Sequence, residues 1–255
     1  MAVAVFNVVF EWEKKISEGI SHLAFRKEDG SSFEFEPGQF ITFLFGEGKE
    51  LKRRSYSVAS IPSSSASLAS VPLIEIVVSY VPGGFASEIL FHLQPGQVLK
   101  AMGPVGRLTL KADEPKLESP DARLILVGTG TGIGPYRSML PLLLDQATSK
   151  ACSVYLILGV RTKAEAIFKA DFEAFAARHP NLHFQVCYSR EKAENLGNQE
   201  FVGYVQESFT RLGVNPDRDI VYLCGNPNMI DESFEFLKEK GLAIGDIRRE
   251  KYISS

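Results

Sequence analysis

The sequence predicts two domains of different grammar, an antiparallel β-barrel followed by an α/β domain built on a parallel sheet. Three observations carry this expectation. Short β segments divided by Pro-Gly turns run to about Pro120, strands and helices then alternate, and a glycine turn stands near the start of the alternation. The 255 residues are enough for two domains of ordinary size, each able to bury a core.

In the first half the β segments are Ala2 to Phe10, Ser21 to Arg26, Gln39 to Phe45, Ser55 to Ser60, Leu73 to Tyr80, Gln97 to Met102 and Leu108 to Leu110. Pro37-Gly38, Pro82-Gly83-Gly84 and Pro95-Gly96 mark turns between them, and serine-rich Ser60 to Ser70 is a surface loop. In the second half the strands are Arg123 to Val127, Val154 to Gly159, His183 to Cys187 and Ile220 to Cys224. The helices are Gly134 to Asp145, Lys163 to Arg178, Val202 to Arg211 and Pro227 to Lys240. Pro115, Pro120 and charges break both patterns within Asp113 to Asp121, so the domains are taken as residues 1–118 and 119–255.

Composition narrows the function. A net charge of −3 gives no reason to expect nucleic acid, which calls for a strongly basic face. Cys152, Cys187 and Cys224 lie too far apart for an iron–sulfur or zinc spacing. His179 and His183 are four residues apart, but Pro180 breaks any helix between them, and no metal is assigned. The apolar N-terminus lacks a basic leader and is interrupted by Asn7 and the charges from Glu11 to Lys15, so it is expected to be a strand of a cytoplasmic protein. No apolar stretch approaches the roughly 20 residues of a membrane span.

Gly128-Thr129-Gly130-Thr131-Gly132-Ile133-Gly134-Pro135 follows the apolar run Leu124 to Val127 and leads into a helix. A glycine turn between strand and helix lets a ligand approach the backbone, and the positive end of the helix favours an anion there. A nucleotide phosphate is the ligand expected. Ile133 replaces the third glycine of the dinucleotide fingerprint G-x-G-x-x-G, so a plain sharp turn stays open as the alternative.

In the barrel half, Arg54-Ser55-Tyr56-Ser57 alternates, with Arg54 and Tyr56 on one side. An arginine that can fork onto a pyrophosphate, an aromatic face and a hydroxyl suit a flavin dinucleotide, against an equally simple reading as an ordinary strand. Gly83-Gly84-Phe85-Ala86-Ser87 leads into Glu88 to Phe91, a second glycine turn before a helix, with Ser87 expected as its cap.

These motifs, with Ser189-Arg190-Glu191, Cys224-Gly225-Asn226-Pro227 and Glu250-Lys251-Tyr252, stand in the order found in the ferredoxin-NADP reductase family, which the chain resembles over nearly its whole length. The resemblance implies an antiparallel β-barrel that binds FAD and a Rossmann-like α/β domain that binds NADP(H). By position it implies that Arg54 holds the FAD pyrophosphate, Tyr56 contacts the flavin, and Ser57 sits near the nitrogen that exchanges hydride, with Ser55 among the cofactor-binding residues of the same strand. Gly84, Phe85, Ala86 and Ser87 form the second phosphate turn. Gly128, Thr129, Gly130 and Thr131 cradle the NADP pyrophosphate, Cys224 stands beside the nicotinamide, and Glu250 supplies a carboxylate that relays a proton or balances charge. Tyr252 covers the flavin and Tyr204 stacks on the adenine, although a core position for Tyr204 stays open.

An acid at the end of the second strand of such a sheet selects NAD, and here that strand ends Leu158-Gly159-Val160-Arg161-Thr162. Arg161, Ser189 and Arg190 can serve a 2′-phosphate, so NADPH is the expected reductant. Two departures qualify the resemblance. Val202 and Gly203 occupy positions where a further cation is common in the family, and Ile253, Ser254 and Ser255 follow the terminal aromatic.

The function expected is FAD-mediated electron transfer between NADPH and a separate carrier, ferredoxin or flavodoxin, attracted by Lys49, Lys52 and Arg53. The alternatives are a flavin reductase or oxygenase reductase component, and a nucleotide-binding subunit of a larger electron-transfer complex.

Overall fold

The structure is a computed structural model and describes residues 3–111, 114–119, 121–149 and 152–252. The expected break at Asp113 and Pro120, the start of the first segment at Ala2, and Ile253 to Ser255 lie outside these residues. By contacts the chain divides into two compact units. The first runs to Leu110 and takes in Gly134–Pro141; the second comprises Lys111–Ile133 and the chain from Leu142.

The first unit contains β1 (Val5–Ser17), β2 (Ile20–Lys27), β3 (Phe33–Phe35), β4 (Phe40–Phe45), β5 (Lys52–Ser57), β6 (Ala69–Val71), β7 (Ile74–Ser79), helix α1 (Phe85–Leu90) and β8 (Val98–Val105). Six strands form one antiparallel sheet in the order β5-β4-β8-β1-β2-β7, while β3 pairs with β6. The two edges meet just past β5, where the Ala59 N–H donates to Glu75 O at 2.7 Å. Ser60 Oγ adds to the seam, donating to Leu73 O and accepting from the Glu75 N–H, each at 2.8 Å. Joining the edges turns the sheet into a barrel and leaves no open ladder there. Inward aromatics fill it, with Phe25 5.4 Å from Phe10 and 5.1 Å from Phe43 between ring centroids.

The expected strand Leu108 to Leu110 is not one. Leu108 is buried, and a Cβ at left-handed Gly38 would lie 2.1 Å from the Leu108 carbonyl oxygen, so this segment packs against a turn and joins no ladder. β3 and β6, of three residues each, were too short to register as alternation.

After Pro120 the elements are β9 (Arg123–Thr129), α2 (Gly134–Ser138), α3 (Leu140–Ser149), β10 (Ser153–Val160), α4 (Lys169–Ala176), β11 (Leu182–Tyr188), β12 (Glu200–Val202), α5 (Gln206–Leu212), β13 (Asp219–Gly225), α6 (Pro227–Glu239) and β14 (Ile247–Lys251). The strands make a parallel sheet in the order β12-β11-β10-β9-β13-β14. β9 and β13 are buried almost throughout, which is why they read as unbroken apolar runs. The first expected helix is two: Pro141 has no N–H to offer the carbonyl of Arg137, and the helix breaks after Ser138. The second begins late, at Lys169, because Phe168 is left-handed with φ 57°.

Residues 134–141 join the barrel unit through named bonds. Arg137 Nη1 donates to Ala59 O at 2.6 Å and to Glu75 Oε2 at 2.7 Å, and Ser138 Oγ accepts from the Gly38 N–H at 3.0 Å. At the amino ends of β9 and β13, buried Arg123 forks onto fully buried Asp219, with Nε–Oδ1 2.7 Å and Nη2–Oδ2 2.6 Å. Its remaining donors reach Leu212 O at 2.8 Å and Gly213 O at 3.0 Å, and Asp219 also accepts from the Asn215 N–H at 2.7 Å.

Candidate functional site

The chain runs outward from β9 to β12 and then returns to lay β13 beside β9, so the strand order reverses at this pair. At the carboxyl ends of strands flanking such a reversal, loops diverge and leave a crevice for ligand. The glycine run follows β9 and Gly225-Asn226 follows β13, so both motifs converge here. The glycines have different jobs. A Cβ at Gly128 would lie 2.8 Å from Ile133 N, and one at Gly132 would lie 2.4 Å from Cys224 O, so these two allow the turn to fold on itself and onto β13. Gly130 is left-handed, φ +54°, with nothing within 4 Å of a Cβ position, and its backbone is the approachable one. Thr129 Oγ1 accepts from the Asn226 N–H at 2.9 Å, tying the two loops. The Asn226 side chain caps α6 by accepting from the N–H groups of Asn228 at 2.9 Å and Met229 at 3.2 Å, a signal present in Asn226-Pro227 that the sequence reading did not use.

Cys224 pairs in register with Gly128 on one side and with Glu250 on the other. Two residues beyond Glu250, Tyr252 donates its N–H to Gly225 O at 2.9 Å, so Cys224, Glu250 and Tyr252 are brought together at one strand end. β14, which carries Glu250, was not foreseen; only Ile247 of its five residues is buried. Cys224 is fully buried, and burial raises its thiol well above the ordinary range. The Glu250 charge adds to this and a hydrogen bond with Tyr252 opposes it. The sulfur is a neutral thiol at physiological pH, not a nucleophile.

A second group lies at the carboxyl ends of β10, β11 and β12. The Ser189 N–H donates to Val160 O at 3.0 Å, the Arg190 N–H to Arg161 O at 2.9 Å and the Gly203 N–H to Tyr188 O at 3.0 Å, so Arg161, Ser189, Arg190 and Tyr204 follow three adjacent strands. Tyr204 is 68% exposed, in the turn before α5, and is not a core residue. The sequence reading missed Glu165, whose carboxylate grips Arg161 at 2.5 Å from Nη2; the four-residue spacing just after the strand was the available signal.

In the barrel unit, β5 pairs Phe40 with Ser57, Ile41 with Tyr56, Thr42 with Ser55 and Phe43 with Arg54. Tyr56 lays its ring 5.8 Å from Phe43, and burial raises its phenol to about 12 against the lowering pull of Arg54, so it is a neutral aromatic wall. Ser57 is buried, and Ser55 Oγ meets Thr42 Oγ1 at 2.8 Å. Phe85, at the start of α1, packs edge-on to Phe45 at 5.7 Å with Lys52 Nζ 4.4 Å from its centroid, which brings the second glycine turn beside β5. Ser87 is not the cap of α1; Gly84 occupies that position. Ser87 Oγ is directed into the turn, donating to Gly84 O at 2.9 Å and Val81 O at 3.0 Å, while Ala86 beside it is buried. Among the described residues no three His, Cys, Asp or Glu side chains cluster as metal ligands, and no helix is long and apolar enough to cross a membrane.

A closed barrel with an Arg-x-Tyr-Ser strand and a parallel sheet with a glycine turn at its reversal point are the architecture expected of an oxidoreductase that binds FAD and a nicotinamide dinucleotide. Residues 7–110 match the family model described as an oxidoreductase FAD-binding domain, and residues 126–233 the one described as an oxidoreductase NAD-binding domain. The ferredoxin–NADP reductase B of Sorangium cellulosum is 31% identical over 244 residues, covering 94% of each chain. The chain belongs to the ferredoxin-NADP reductase family, and its function is FAD-mediated electron transfer with NAD(P)H. A ferredoxin NADP+ reductase from Neisseria gonorrhoeae, solved with bound FAD and NADP, shares the fold with a TM-score of 0.76 at 21% identity, covering 97% of this chain and 98% of that one. The toluate 1,2-dioxygenase electron transfer component of Pseudomonas putida is 26% identical over 95% of this chain, which spans 66% of that relative.

Proposed function

We propose that the chain is a ferredoxin- or flavodoxin-NADP(+) reductase whose reductant is NADPH. The observation that carries this reading is the register that aligns Gly128, Cys224 and Glu250 across three adjacent strands at the reversal point. When bound, the flavin supplies the conversion between two-electron and one-electron transfer. The residues present suit that group: Arg54, whose Nη1 donates to Arg53 O at 2.8 Å, brings a guanidinium for its pyrophosphate, Tyr56 a neutral aromatic face, and Ser57 a hydroxyl on the same strand as Ser55, with the turn Gly84, Phe85, Ala86 and Ser87 beside them. Thr129, approachable Gly130 and Thr131 take the pyrophosphate of the nicotinamide cofactor, with Tyr204 on its adenine. Arg161, Ser189 and Arg190 take the 2′-phosphate.

Cys224 then serves as a small neutral wall for the nicotinamide, and Glu250 holds a carboxylate one strand away. Tyr252 is the aromatic that covers the flavin. Exposed Lys49, Lys52 and Arg53 attract an acidic carrier protein, with the consequence that carrier reduction slows as salt rises. Similarity to an oxygenase electron-transfer component supports a second reading, in which the acceptor is the carrier of an oxygenase system.

The deciding experiment records the visible spectrum of the purified protein and adds NADPH, and separately NADH, without oxygen. Rapid bleaching of flavin bands by NADPH and slow bleaching by NADH are expected. A protein that neither copurifies with nor binds FAD refutes the role of Arg54, Tyr56 and Ser57, and equal bleaching by NADH refutes the preference. Reduction of ferredoxin or flavodoxin, compared with free flavin, separates the two readings.

A further inference from the structure

Arg161 is one of the two cations on which the preference for NADPH rests, and in this structure its fork is already filled. Glu165 Oε2 accepts from Arg161 Nε at 3.0 Å and from the Arg161 backbone N–H at 3.2 Å, while Oε1 lies 2.5 Å from Nη2. The carboxylate is the sheltered partner and the guanidinium the open one, with side chains 17% and 59% exposed. Glu191 and Glu207, which follow the other two strands, each meet a backbone N–H, Glu191 accepting from Lys163 at 2.9 Å and Glu207 from Tyr204 at 3.3 Å. Lys163 Nζ lies 3.3 Å from Glu200, and Arg211 lies 3.9 Å from Glu207. Among the described residues, only Glu165 is forked onto a side chain assigned to the phosphate.

We propose that Glu165 sets the nucleotide specificity of this enzyme by competing with the 2′-phosphate of NADP(H) for Arg161. The proposal rests on the reading of Arg161 as a phosphate residue. A guanidinium presents its Nε–Nη2 edge to one planar or tetrahedral anion at a time. Phosphate reaches that edge when the carboxylate lets go, or it takes the remaining edge with the Glu165 charge close by. Either route subtracts from what Arg161 contributes to NADPH binding. NADH, which has no such phosphate, leaves the pair intact. Discrimination is therefore smaller than an unpaired arginine would give, and Val202 and Gly203, where family members often carry a further cation, do not restore it.

Glu165→Gln keeps the shape and removes the charge. It is expected to lower KM for NADPH roughly five- to tenfold, the upper range for an exposed charge pair with added relief of like-charge repulsion, with kcat for NADPH and both constants for NADH little changed. Calorimetry with 2′,5′-ADP is expected to show the same gain and a steeper salt dependence, with 5′-ADP as the control for an intact adenosine site. In an Arg161→Ala background the substitution is expected to give only a small gain on 2′,5′-ADP, the relief of like-charge repulsion alone, and none on 5′-ADP. If Glu165→Gln leaves NADPH and 2′,5′-ADP unchanged while Arg161→Ala weakens both, competition is refuted and the phosphate role of Arg161 stands. If Arg161→Ala also leaves both unchanged, the underlying reading fails. Equal gains for 2′,5′-ADP and 5′-ADP would mean that Glu165 acts on the adenosine site as a whole, and would refute the proposal too.

Discussion

Two arginine–carboxylate forks stand at opposite ends of the parallel sheet. Arg123 and Asp219 join the amino ends of β9 and β13 with the carboxylate fully buried and the guanidinium nearly so, and further bonds with Leu212, Gly213 and Asn215 complete the set. Arg161 and Glu165 make a fork of similar length beyond the carboxyl end of β10, with the guanidinium in solvent. Burial works against the Arg123 charge and Asp219 more than offsets it, whereas Glu165 raises the pKa of Arg161 with little burial to oppose it. The same chemistry thus does different work at the two ends. A sealed pair cannot be exchanged for a ligand and holds strands; an open pair holds little and can be exchanged.

The sharpest way to break this contrast is to remove one acid from each fork. Asp219→Ala leaves a buried guanidinium unpaired and is expected to cost about 3–5 kcal/mol in urea unfolding. Glu165→Ala sits at the other end of the scale and is expected to cost less than about 1 kcal/mol. Similar losses from both would refute the distinction.

Glu200, at the edge strand β12, comes next in size. Burial alone would raise its carboxyl, but the Gly197 N–H, Lys169, Tyr188 and Lys163 together bring it down to about 2. A depressed carboxylate stabilises the fold above its unfolded value and loses that contribution as pH falls towards the folded value. About 3 kcal/mol of stability is therefore expected to disappear between roughly pH 4.5 and pH 2, and Glu200→Gln should flatten that part of the stability profile.

Smaller again is Gly132→Ala, whose added methyl must displace the Cys224 carbonyl. About 1–3 kcal/mol is expected, together with weaker NADPH binding. Gly130→Ala is its partner measurement: strain from a left-handed alanine of roughly 1–2 kcal/mol with no clash inside the fold, and a raised KM for NADPH because the methyl stands where the pyrophosphate is to approach.

Much of this is legible in the sequence itself. Apolar runs at 124–127 and 220–224 identify central strands because both faces are buried, and Pro-Gly pairs mark the barrel turns. β14 was not legible, since an edge strand reading Ile-Arg-Arg-Glu-Lys has one buried residue and no alternation to show. The break after Ser138 was visible in Pro141 but outweighed by the apolar periodicity around it. Among the candidate site residues, types and order were readable, whereas commitments to other partners were not. Ser55 meets Thr42, Ser87 turns inward to Val81 and Gly84, and Thr129 takes the Asn226 N–H; each depends on a neighbour distant in sequence or on the fold of a turn.

The contact between Gly132 and the Cys224–Gly225 backbone has a consequence for anyone who would re-engineer this protein. Because the turn after β9 and the end of β13 touch main chain to main chain, with Thr129 and Asn226 bonded across them, neither is a separable module. A loop transplanted from a relative to change the nucleotide would bring its own curvature to bear on Cys224, so the two loops must be moved as a matched set.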